Sequence, residues 1–246
     1  MLKTLVIVPA YNEENTLEDV ITDIKTNAPG VDYLVVNDCS SDESVRLLKR
    51  LGAEYIDCPV NLGIGGAVQA GYKYALKNGY EVAIQFDGDG QHVAEYIPEM
   101  VKEIEDGKAN VVIGSRFIAK EGFQSSMTRR IGIRVLSGLI FLMCGKHIKD
   151  VTSGFRAVDT CMMKAFADNY PDDYPEPEVI VTSVLSGVTI KEIPVLMRDR
   201  VAGKSSINLK KSIYYMIKVS LAIVVCRISL GVRRDKKNKQ GDGVNA

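Results

Sequence analysis

The sequence predicts an α/β protein in which a mostly parallel β-sheet is covered by helices on both faces. Over the first half of the 246-residue chain, short β-branched runs alternate with segments of helical periodicity, which is typical of parallel sheets. Polar motifs follow the ends of these strands, and sheets of this kind bind ligands at the carboxyl ends of their strands. The length suits one large domain with an appendage.

Five strands and four helices are predicted in the first half. The strands are Leu5 to Val8, Tyr33 to Asn37, Ala53 to Asp57, Val82 to Phe86 and Val111 to Gly114. The helices are Thr16 to Asn27, Glu43 to Leu51, Gly66 to Lys77 and Val93 to Asp106. The less regular second half predicts helices at 127–145 and 176–187, a strand at Thr189 to Pro194, and a glycine-bearing loop from Arg198 to Ser206. Loops of this kind are often functional.

The composition argues against several classes of protein. Lys plus Arg and Asp plus Glu both number 31, so the bulk charge indicates no nucleic-acid partner. The five cysteines are scattered without Cys-x-x-Cys spacing, which favours a reduced cytoplasmic protein lacking a structural zinc site. The apolar run Leu5 to Ala10 is too short for a secretory signal and is interpreted as the first strand.

The C-terminal segment is apolar and leads into a basic tail. Lys218 and Arg227 interrupt the stretch from Ile213 to Val232, so it is not expected to span a bilayer by itself. Six basic residues against one acid, from Arg227 to Lys239, favour an amphipathic helix at an anionic membrane surface. A core-packed or dimer-forming helix is the alternative. We therefore expect a domain at 1–210, a membrane-associating or interface helix at 211–232 and a basic, disordered tail at 233–246.

The strongest functional signal is a pair of carboxylates directly after a predicted buried strand. Asp87 and Asp89 are separated by Gly88, which lets the chain bend so that both side chains can converge on one hard cation. A divalent cation held in this way usually has diphosphate oxygens among its other ligands. For Asp-Gly alone, a turn that closes a β-hairpin is an equally good interpretation.

Three further loops follow strand ends. Acidic residues stand in the segments Pro9 to Asn15 and Val36 to Asp42, where Asp38 can accept hydrogen bonds from a base or ribose. The third strand leads to Asn61 to Ala67, whose glycines permit close backbone approach, and the next helix begins with free N–H groups that favour an anion. Each loop alone is also explained as an ordinary capped loop or tight turn.

These motifs, in this order, resemble those of the family 2 glycosyltransferases of the GT-A fold. Within that family the chain is similar to the branch typified by dolichyl-phosphate mannose synthase and the bacterial polyprenyl-phosphate sugar synthases. The resemblance covers residues 3–210 and is carried by Val8 to Glu13, Asn37 to Asp42, Asn61 to Gly65, Asp87 to Gln91, Gly114 to Arg116, Thr152 to Arg156 and Arg200 to Ser205.

The resemblance implies a role for each matching residue. The implied donor-nucleotide site is Pro9, Tyr11, Glu13, Asp38, Gly63 and Asp87, and the implied Mg²⁺ or Mn²⁺ site is Asp87, Asp89 and Gln91. The implied site for the acceptor phosphate is Arg116, Arg130, Arg134, Arg200 and Ser205. Asp89, Arg130 and Arg200 are the residues implied to be catalytic. The chain departs from the family at Ile133, where a serine often follows the paired arginines.

The residue types favour a phosphate as the acceptor. A phosphate monoester is already anionic at neutral pH, whereas an alcohol needs a general base. Arginine suits a phosphate because its fork matches the oxygens bidentately. Neither histidine is a clear base, since His92 is expected near the diphosphate and His147 at the surface. If the acceptor were a hydroxyl, the base would be Glu178 or Asp150, and a solvated helix face is an equally good interpretation of the cluster Arg129, Arg130 and Arg134.

The expected enzyme transfers a hexose or N-acetylhexosamine from a UDP- or GDP-linked sugar to polyprenyl phosphate, with inversion, on the cytoplasmic face of a membrane. The segment Tyr174 to Glu178 is similar to bacterial surface-polysaccharide members, which favours an undecaprenyl-type lipid. A small membrane protein or a second copy of the chain is a further expected partner. Two alternatives stay open: a polysaccharide-extending transferase with a sugar hydroxyl acceptor, and a catalytically silent nucleotide-sugar-binding module.

Arg200→Ala should reduce transfer much more than donor binding, and Arg200→Lys should not restore it, because lysine cannot reproduce the bidentate fork. Transfer rates measured beside nucleotide-sugar affinity check this expectation. Equal losses of donor affinity and transfer rate would assign Arg200 to the donor instead.

Overall fold

The computed structural model describes residues 2–119, 121–122, 127–171, 175–199 and 216–228. The first half contains β1 (Thr4–Ala10), α1 (Leu17–Asn27), β2 (Asp32–Asn37), α2 (Ser44–Leu51), β3 (Tyr55–Asp57), α3 (Gly63–Lys77) and β4 (Val82–Gln85). A 3₁₀ turn (Ala94–Tyr96) then leads into α4 (Ile97–Glu105). The rest contains β5 (Val111–Ser115), α5 (Arg116–Ala119), α6 (Met127–Cys144), β6 (Arg156–Asp159), α7 (Thr160–Asp168), α8 (Pro175–Leu185) and β7 (Ile190–Pro194). The helical residues 216–228 are called α9.

The described strands form one seven-stranded sheet in the order β3-β2-β1-β4-β6-β5-β7. β1 pairs in parallel with β2 and β4, β2 pairs in parallel with β3, and β5 pairs in parallel with β7. β6 lies between β4 and β5 and runs antiparallel to both. The prediction of a mostly parallel sheet flanked by helices is therefore confirmed, with one reversed strand in its interior.

β6 and α7 were not predicted from the sequence. β6 has only four residues, and charged Arg156 and Asp159 stand at its ends, so it lacks the apolar run that identifies the other strands. Asp159 caps α7, because its Oδ1 accepts a hydrogen bond from the Met162 N–H at 2.8 Å. Pairing with two buried neighbours, rather than local propensity, makes residues 156–159 a strand.

Two apolar cores lie on opposite faces of the sheet. Leu5 and Ile7 of β1 belong to one core, and Val6 and Val8 belong to the other, as the alternation of side chains along a strand requires. α3, α6, α7, α8 and α9 contribute to the first core, and α1 and α4 contribute to the second. α1 illustrates the helical pattern, since its buried residues recur at i, i+3, i+4 and i+7: Leu17, Val20, Ile21 and Ile24.

α3 lies close against the sheet. A Cβ atom on Gly71 would come within 2.3 Å of Ile7 Cγ2, so only glycine allows this approach. The helix begins at Gly63, three residues before the predicted start at Gly66. Gly63 has a φ of 74°, which lets the chain turn into the helix. The first turn of α3 therefore lies at the carboxyl edge of β3.

α9 has one buried face and one exposed apolar face. Val219 and Ile223 are buried in the first core, as a core-packed helix requires. The opposite face exposes apolar side chains at i, i+4, i+8 and i+11: Ile217, Leu221, Val225 and Ile228. Within the described ranges, no helix is long and apolar enough to cross a membrane. The predicted basic tail at 233–246 lies outside the described residues.

Candidate active site

The carboxylate pair lies in a tight turn that is bonded to the end of β1. The Gly88 N–H donates to the carbonyl oxygen of Pro9 at 3.2 Å, and a Cβ on Gly88 would come within 3.1 Å of that oxygen. The Thr16 hydroxyl donates to the Gly88 carbonyl at 2.6 Å. A side chain at this position would crowd the end of β1, so glycine suits the close approach of the turn to that strand.

The two carboxylates have different surroundings. Asp89 is 7% exposed, and its Oδ1 accepts a hydrogen bond from the Gln91 N–H at 3.1 Å. The Asp87 side chain is 33% exposed, and its Oδ1 accepts from Gln85 Nε2 at 3.0 Å. His92 Nε2 lies 3.3 Å from Asp87 Oδ2. Asp87 is therefore the more accessible of the pair, and neighbouring side chains restrict its orientation.

This pair fits a hard divalent cation that shares its coordination shell with a substrate. Carboxylate oxygens are the ligands that Mg²⁺ and Mn²⁺ prefer. In the part of the chain that the structure describes, no group of three or more His, Cys, Asp or Glu side chains is placed to hold a metal ion. Asp87 and Asp89 would therefore supply two ligands, with diphosphate and water oxygens supplying others.

Gln91, the third predicted metal residue, connects this turn to Arg198, the first residue of the predicted loop. Its side-chain amide donates to the Arg198 carbonyl at 3.4 Å, and the Arg198 N–H donates to the Gln91 carbonyl at 2.8 Å. Arg198 also pairs with Asp23 at 3.1 Å. The predicted acceptor residues Arg200 and Ser205 lie outside the described residues.

Side chains connect the loops after β1 and β2. Asn12, with a φ of 57°, accepts a hydrogen bond on Oδ1 from the Ser41 N–H at 2.8 Å. The Glu13 N–H donates to Ser44 Oγ at 3.1 Å. Tyr11 in the same loop is 52% exposed, which suits a flat ligand stacked on its ring. The Asp38 N–H donates to the Ala10 carbonyl at 2.8 Å, so the predicted donor residues share one edge of the sheet.

Asp38 and Gly63 meet where α3 begins. Asp38 is buried, and its Oδ1 accepts a hydrogen bond from the Leu62 N–H at 2.6 Å. The Gly63 N–H donates to Asn61 Oδ1 at 3.2 Å. Asp38 therefore holds the loop that precedes α3. Its role in binding a nucleoside stays a prediction. The sequence alone did not predict this structural contact.

Arg116, a predicted phosphate ligand, forms a buried ion pair. Its Nε and Nη2 atoms both lie 2.7 Å from the carboxylate oxygens of Asp150, and Nη2 also donates to Thr152 Oγ1 at 2.9 Å. Burial by itself would lower the pKa of Arg116, but the hydrogen bonds and charge of Asp150 outweigh it, so the pKa is raised. Asp87 acts in the same direction. The Arg116 fork thus faces a carboxylate in this structure.

Arg130 and Arg134 line a cavity of about 410 Å³ between α5, α6 and the loop after α6. His147 and Lys149 add positive or protonatable groups to its wall. The remaining lining is apolar or small: Phe117, Ile133, Ser137 and Gly138. Ile133, where the family often has serine, is therefore part of this wall. The prediction that His147 is a surface residue is confirmed. Its side chain also lines the cavity.

The candidate bases for a hydroxyl acceptor are differently placed. Asp150 is fully buried, and both of its carboxylate oxygens accept hydrogen bonds from Arg116. Glu178 interacts electrostatically with Lys218 and Cys226 of α9. Glu176, which sequence analysis did not single out, is the acid on α8 that interacts with Asp87. Burial raises the pKa of Glu176, and Arg156 opposes this shift.

Residues 153–156 support the carboxylate turn from the neighbouring strand. A Cβ on Gly154 would come within 2.7 Å of Asp87 Oδ2 and 2.9 Å of Gln85 Nε2. Arg156 is almost fully buried opposite Gln85, and it donates to the carbonyl oxygens of Ser153 at 3.1 Å and Glu176 at 3.4 Å. The motif Thr152 to Arg156 is recognisable in the sequence, but no residue pattern within it indicates the contact with Asp87.

The chain has recognisable relatives among known proteins. The family profile described as Glycosyl transferase family 2 matches residues 5–165. The chain is 28% identical over 209 residues to a UDP-N-acetylglucosamine–dolichyl-phosphate N-acetylglucosaminyltransferase of Methanococcus voltae, covering 77% of this chain and 83% of that protein. It is 26% identical over 216 residues to an undecaprenyl-phosphate mannosyltransferase of Micrococcus luteus, covering 84% and 88%.

The fold is also similar to that of a solved structure. Glucosyl-3-phosphoglycerate synthase from Mycobacterium tuberculosis, in complex with Mn²⁺, UDP-glucose and phosphoglyceric acid, superposes with a TM-score of 0.71. The match covers 92% of this chain and 80% of that chain at 16% identity. At this identity the similarity concerns the fold alone.

Gly154→Ala should weaken divalent-cation binding by about tenfold or more, because the added Cβ displaces the Asp87 carboxylate. The melting temperature should change little, since Gly154 does not have a positive φ and the closest atoms are side-chain ends. Mn²⁺ affinity measured by electron paramagnetic resonance checks this. Gly138→Ala, whose Cβ meets no atom within 4 Å, is the matched control for Mn²⁺ binding. Equal affinities in the two variants would contradict the prediction.

Proposed function

Because the chain belongs to glycosyl transferase family 2, it is a glycosyltransferase, and we propose that its acceptor is a polyprenyl phosphate. The donor in this proposal is a UDP- or GDP-linked hexose or N-acetylhexosamine, and transfer inverts the anomeric carbon. Two relatives support the acceptor class, since their names specify dolichyl phosphate and undecaprenyl phosphate.

The observation that carries the proposal is the cationic cavity between α5, α6 and the loop after α6. Arg130, Arg134, His147 and Lys149 line it, together with apolar Phe117 and Ile133. A cationic wall next to an apolar one suits a phosphate attached to a hydrocarbon chain. Phe117 follows Arg116, whose guanidinium carbon lies 5.3 Å from the Phe117 ring centre. The negative charge of Asp87 also acts on Arg116 and helps to raise its pKa.

The donor half of the reaction needs charge neutralisation. Loss of a nucleoside diphosphate develops negative charge on the leaving group, and Mg²⁺ or Mn²⁺ held by Asp87 and Asp89 would neutralise it. Asp38 and Tyr11 lie on the same edge of the sheet and would bind the nucleoside. The first turn of α3, which Gly63 starts, presents backbone N–H groups that favour an anion.

The acceptor half needs binding and orientation more than proton removal. An oxygen of the lipid phosphate attacks the anomeric carbon directly, because the phosphate is already ionised. Arg130 and Arg134 would hold that phosphate, and Arg116, fixed by Asp150, would add positive potential between acceptor and donor. The burial of Asp150 in this pair agrees with a reaction in which it is not the base.

One observation favours a second function, transfer to a sugar hydroxyl. Glu176 interacts electrostatically with Asp87, and its burial-raised pKa is the property of a general base. In that case Glu176→Gln would reduce transfer by about 10²-fold or more. With a lipid phosphate acceptor, the same substitution should change transfer by only a few fold.

We further propose that α6 and α9 form a surface that contacts the membrane. α6 exposes Met127, Ile131, Val135, Phe141 and Leu142. α9 packs beside α6, since a Cβ on Gly132 would come within 3.1 Å of Met216 Sδ, and it exposes its own apolar row. Basic residues accompany both helices: Arg130, Arg134, Lys218 and Arg227. Exposed apolar side chains flanked by cations suit an anionic bilayer surface.

The acceptor proposal predicts that Arg134→Ala raises the KM for a polyprenyl phosphate by about 10- to 100-fold, because one charge-assisted hydrogen bond is lost. Affinity for the nucleotide sugar should stay the same. The rate of product formation is measured at several concentrations of undecaprenyl phosphate with a panel of UDP- and GDP-linked sugars, and the lipid product is identified by its mass. Arg50→Ala, an exposed arginine on α2, is the matched control. Absence of a lipid product with every donor, or an unchanged KM in Arg134→Ala, would contradict the proposal.

The membrane proposal predicts that the double variant Leu221→Ser, Val225→Ser loses about tenfold or more of its binding to phosphatidylglycerol vesicles, because two exposed apolar side chains no longer enter the interface. Co-sedimentation at low salt measures this, with exposed Val60→Ser as the control. If the double variant sediments like the parent, the surface instead contacts a second copy or a small membrane protein. Light scattering of the parent would then distinguish these partners.

A further inference from the structure

His92 is a buried histidine that no step of the proposed reaction uses. Its side chain is 4% exposed, and its predicted position near the diphosphate stays a prediction. The imidazole stacks on Phe155 with ring centres 5.0 Å apart and planes at 28°. Phe86 meets it edge-on at 5.3 Å. These two aromatic rings hold the imidazole plane in one orientation.

Within the part of the chain that the structure describes, the imidazole nitrogens lack hydrogen bonds although an acceptor lies close by. His92 Nε2 is 3.3 Å from Asp87 Oδ2, yet among the described residues neither ring nitrogen has a partner of acceptable geometry. Native proteins rarely leave buried polar atoms without partners, so each such case calls for an explanation. Here a donor and an acceptor lie within reach and need only a small reorientation.

The surroundings of Asp87 restrict which reorientation can occur. Gln85 Nε2 holds Oδ1 at 3.0 Å from the strand side. The backbone of Gly154 lies so close that an added Cβ would stand 2.7 Å from Oδ2 and 3.1 Å from Oδ1. Gln85 thus holds the Oδ1 side of the carboxylate, and a rotation about that contact changes the angle between Oδ2 and His92 Nε2.

We propose that His92 is a positioning residue for the cation that Asp87 binds. With a divalent cation held by Asp87, the Nε2–H group of His92 would lie in line with Oδ2, which is 3.3 Å away. His92 then donates a hydrogen bond to Oδ2 and fixes the orientation in which the carboxylate coordinates. The inference rests on the proposed function only in requiring a divalent cation at Asp87.

Groups that hydrogen-bond to a metal ligand affect metal affinity even though they do not contact the metal. A group that donates to a coordinating carboxylate fixes its orientation, and its loss typically weakens metal binding by about 10- to 100-fold. His92 suits this role because its ring is already held between Phe86 and Phe155, so little freedom is lost when the bond forms. Gln85 and the Gly154 backbone also lie against Asp87.

The test compares His92→Phe with His92→Gln. Phenylalanine keeps a ring between Phe86 and Phe155 but has no donor, whereas the glutamine amide can place an N–H group near the position of Nε2. Free Mn²⁺ is measured by electron paramagnetic resonance in the presence of UDP and, separately, GDP. We expect His92→Phe to bind Mn²⁺ about 10- to 100-fold more weakly than the parent. His92→Gln should recover part of this loss, and both melting temperatures should stay within about 4 °C of the parent.

Two outcomes would overturn the inference. Mn²⁺ affinity in His92→Phe within about twofold of the parent would show that the ring nitrogens do not matter to the cation. Equal weakening in His92→Phe and His92→Gln would assign the effect to packing rather than to hydrogen bonding. In either case the parent still binds Mn²⁺, so the proposed function stands. A parent that binds no Mn²⁺ would overturn the cofactor proposal and this inference together.

A measurement on the unsubstituted chain covers the case in which a variant does not fold. The chain has only two histidines, His92 and His147, so ¹⁵N-histidine labelling yields few ring signals. On addition of Mg²⁺ with UDP or GDP, we expect an Nε2–H proton signal of His92 to shift and to exchange more slowly with water. His147 variants identify which signal belongs to His92. A His92 signal that does not respond to Mg²⁺ while the cation binds would contradict the inference.

Discussion

The ladder between β4 and β6 pairs Gln85 with Arg156 and thereby brings the loop before β6 against the carboxylate turn. Gly154 consequently meets Asp87, and Phe155 stacks on His92. A parallel strand at this position would direct its preceding loop to the opposite edge of the sheet. The reversed direction of β6 is therefore the constraint on which the geometry around Asp87 depends.

The two proposed binding sites carry charges of opposite sign. Asp87 and Asp89 are acidic and suit a divalent cation that also binds a diphosphate. The cavity with Arg130 and Arg134 is basic and suits a phosphate directly. Arg116, which forms the buried pair with Asp150, is next in the chain to Phe117 of the cavity wall. Because a buried ion pair contributes little net stability, we interpret its position as serving orientation: Asp150 holds the guanidinium where its charge acts toward Asp87.

α6 contributes both to the cavity and to the exposed apolar surface that it forms with α9. α6 carries the cavity residues Arg130 and Arg134, and its exposed apolar side chains continue onto α9. Val219 and Ile223 anchor α9 in the core, so its exposed row is held in a defined position. An acceptor lipid that enters from a membrane on this side would present its phosphate to the cavity. Membrane contact and acceptor binding would then depend on the same helix pair.

The strand and helix positions of the first half follow from local sequence, because strands buried on both faces show apolar runs and the intervening helices show amphipathic periodicity. The motif order likewise indicated the family and the carboxylate pair. β6 could not be predicted, since its four residues become a strand only by pairing with β4 and β5. The same holds for the burial of His92, the Arg116–Asp150 pair and the approach of Gly154 to Asp87. Each of these joins segments far apart in the chain, so their geometry depends on the packing of the whole sheet rather than on any local pattern.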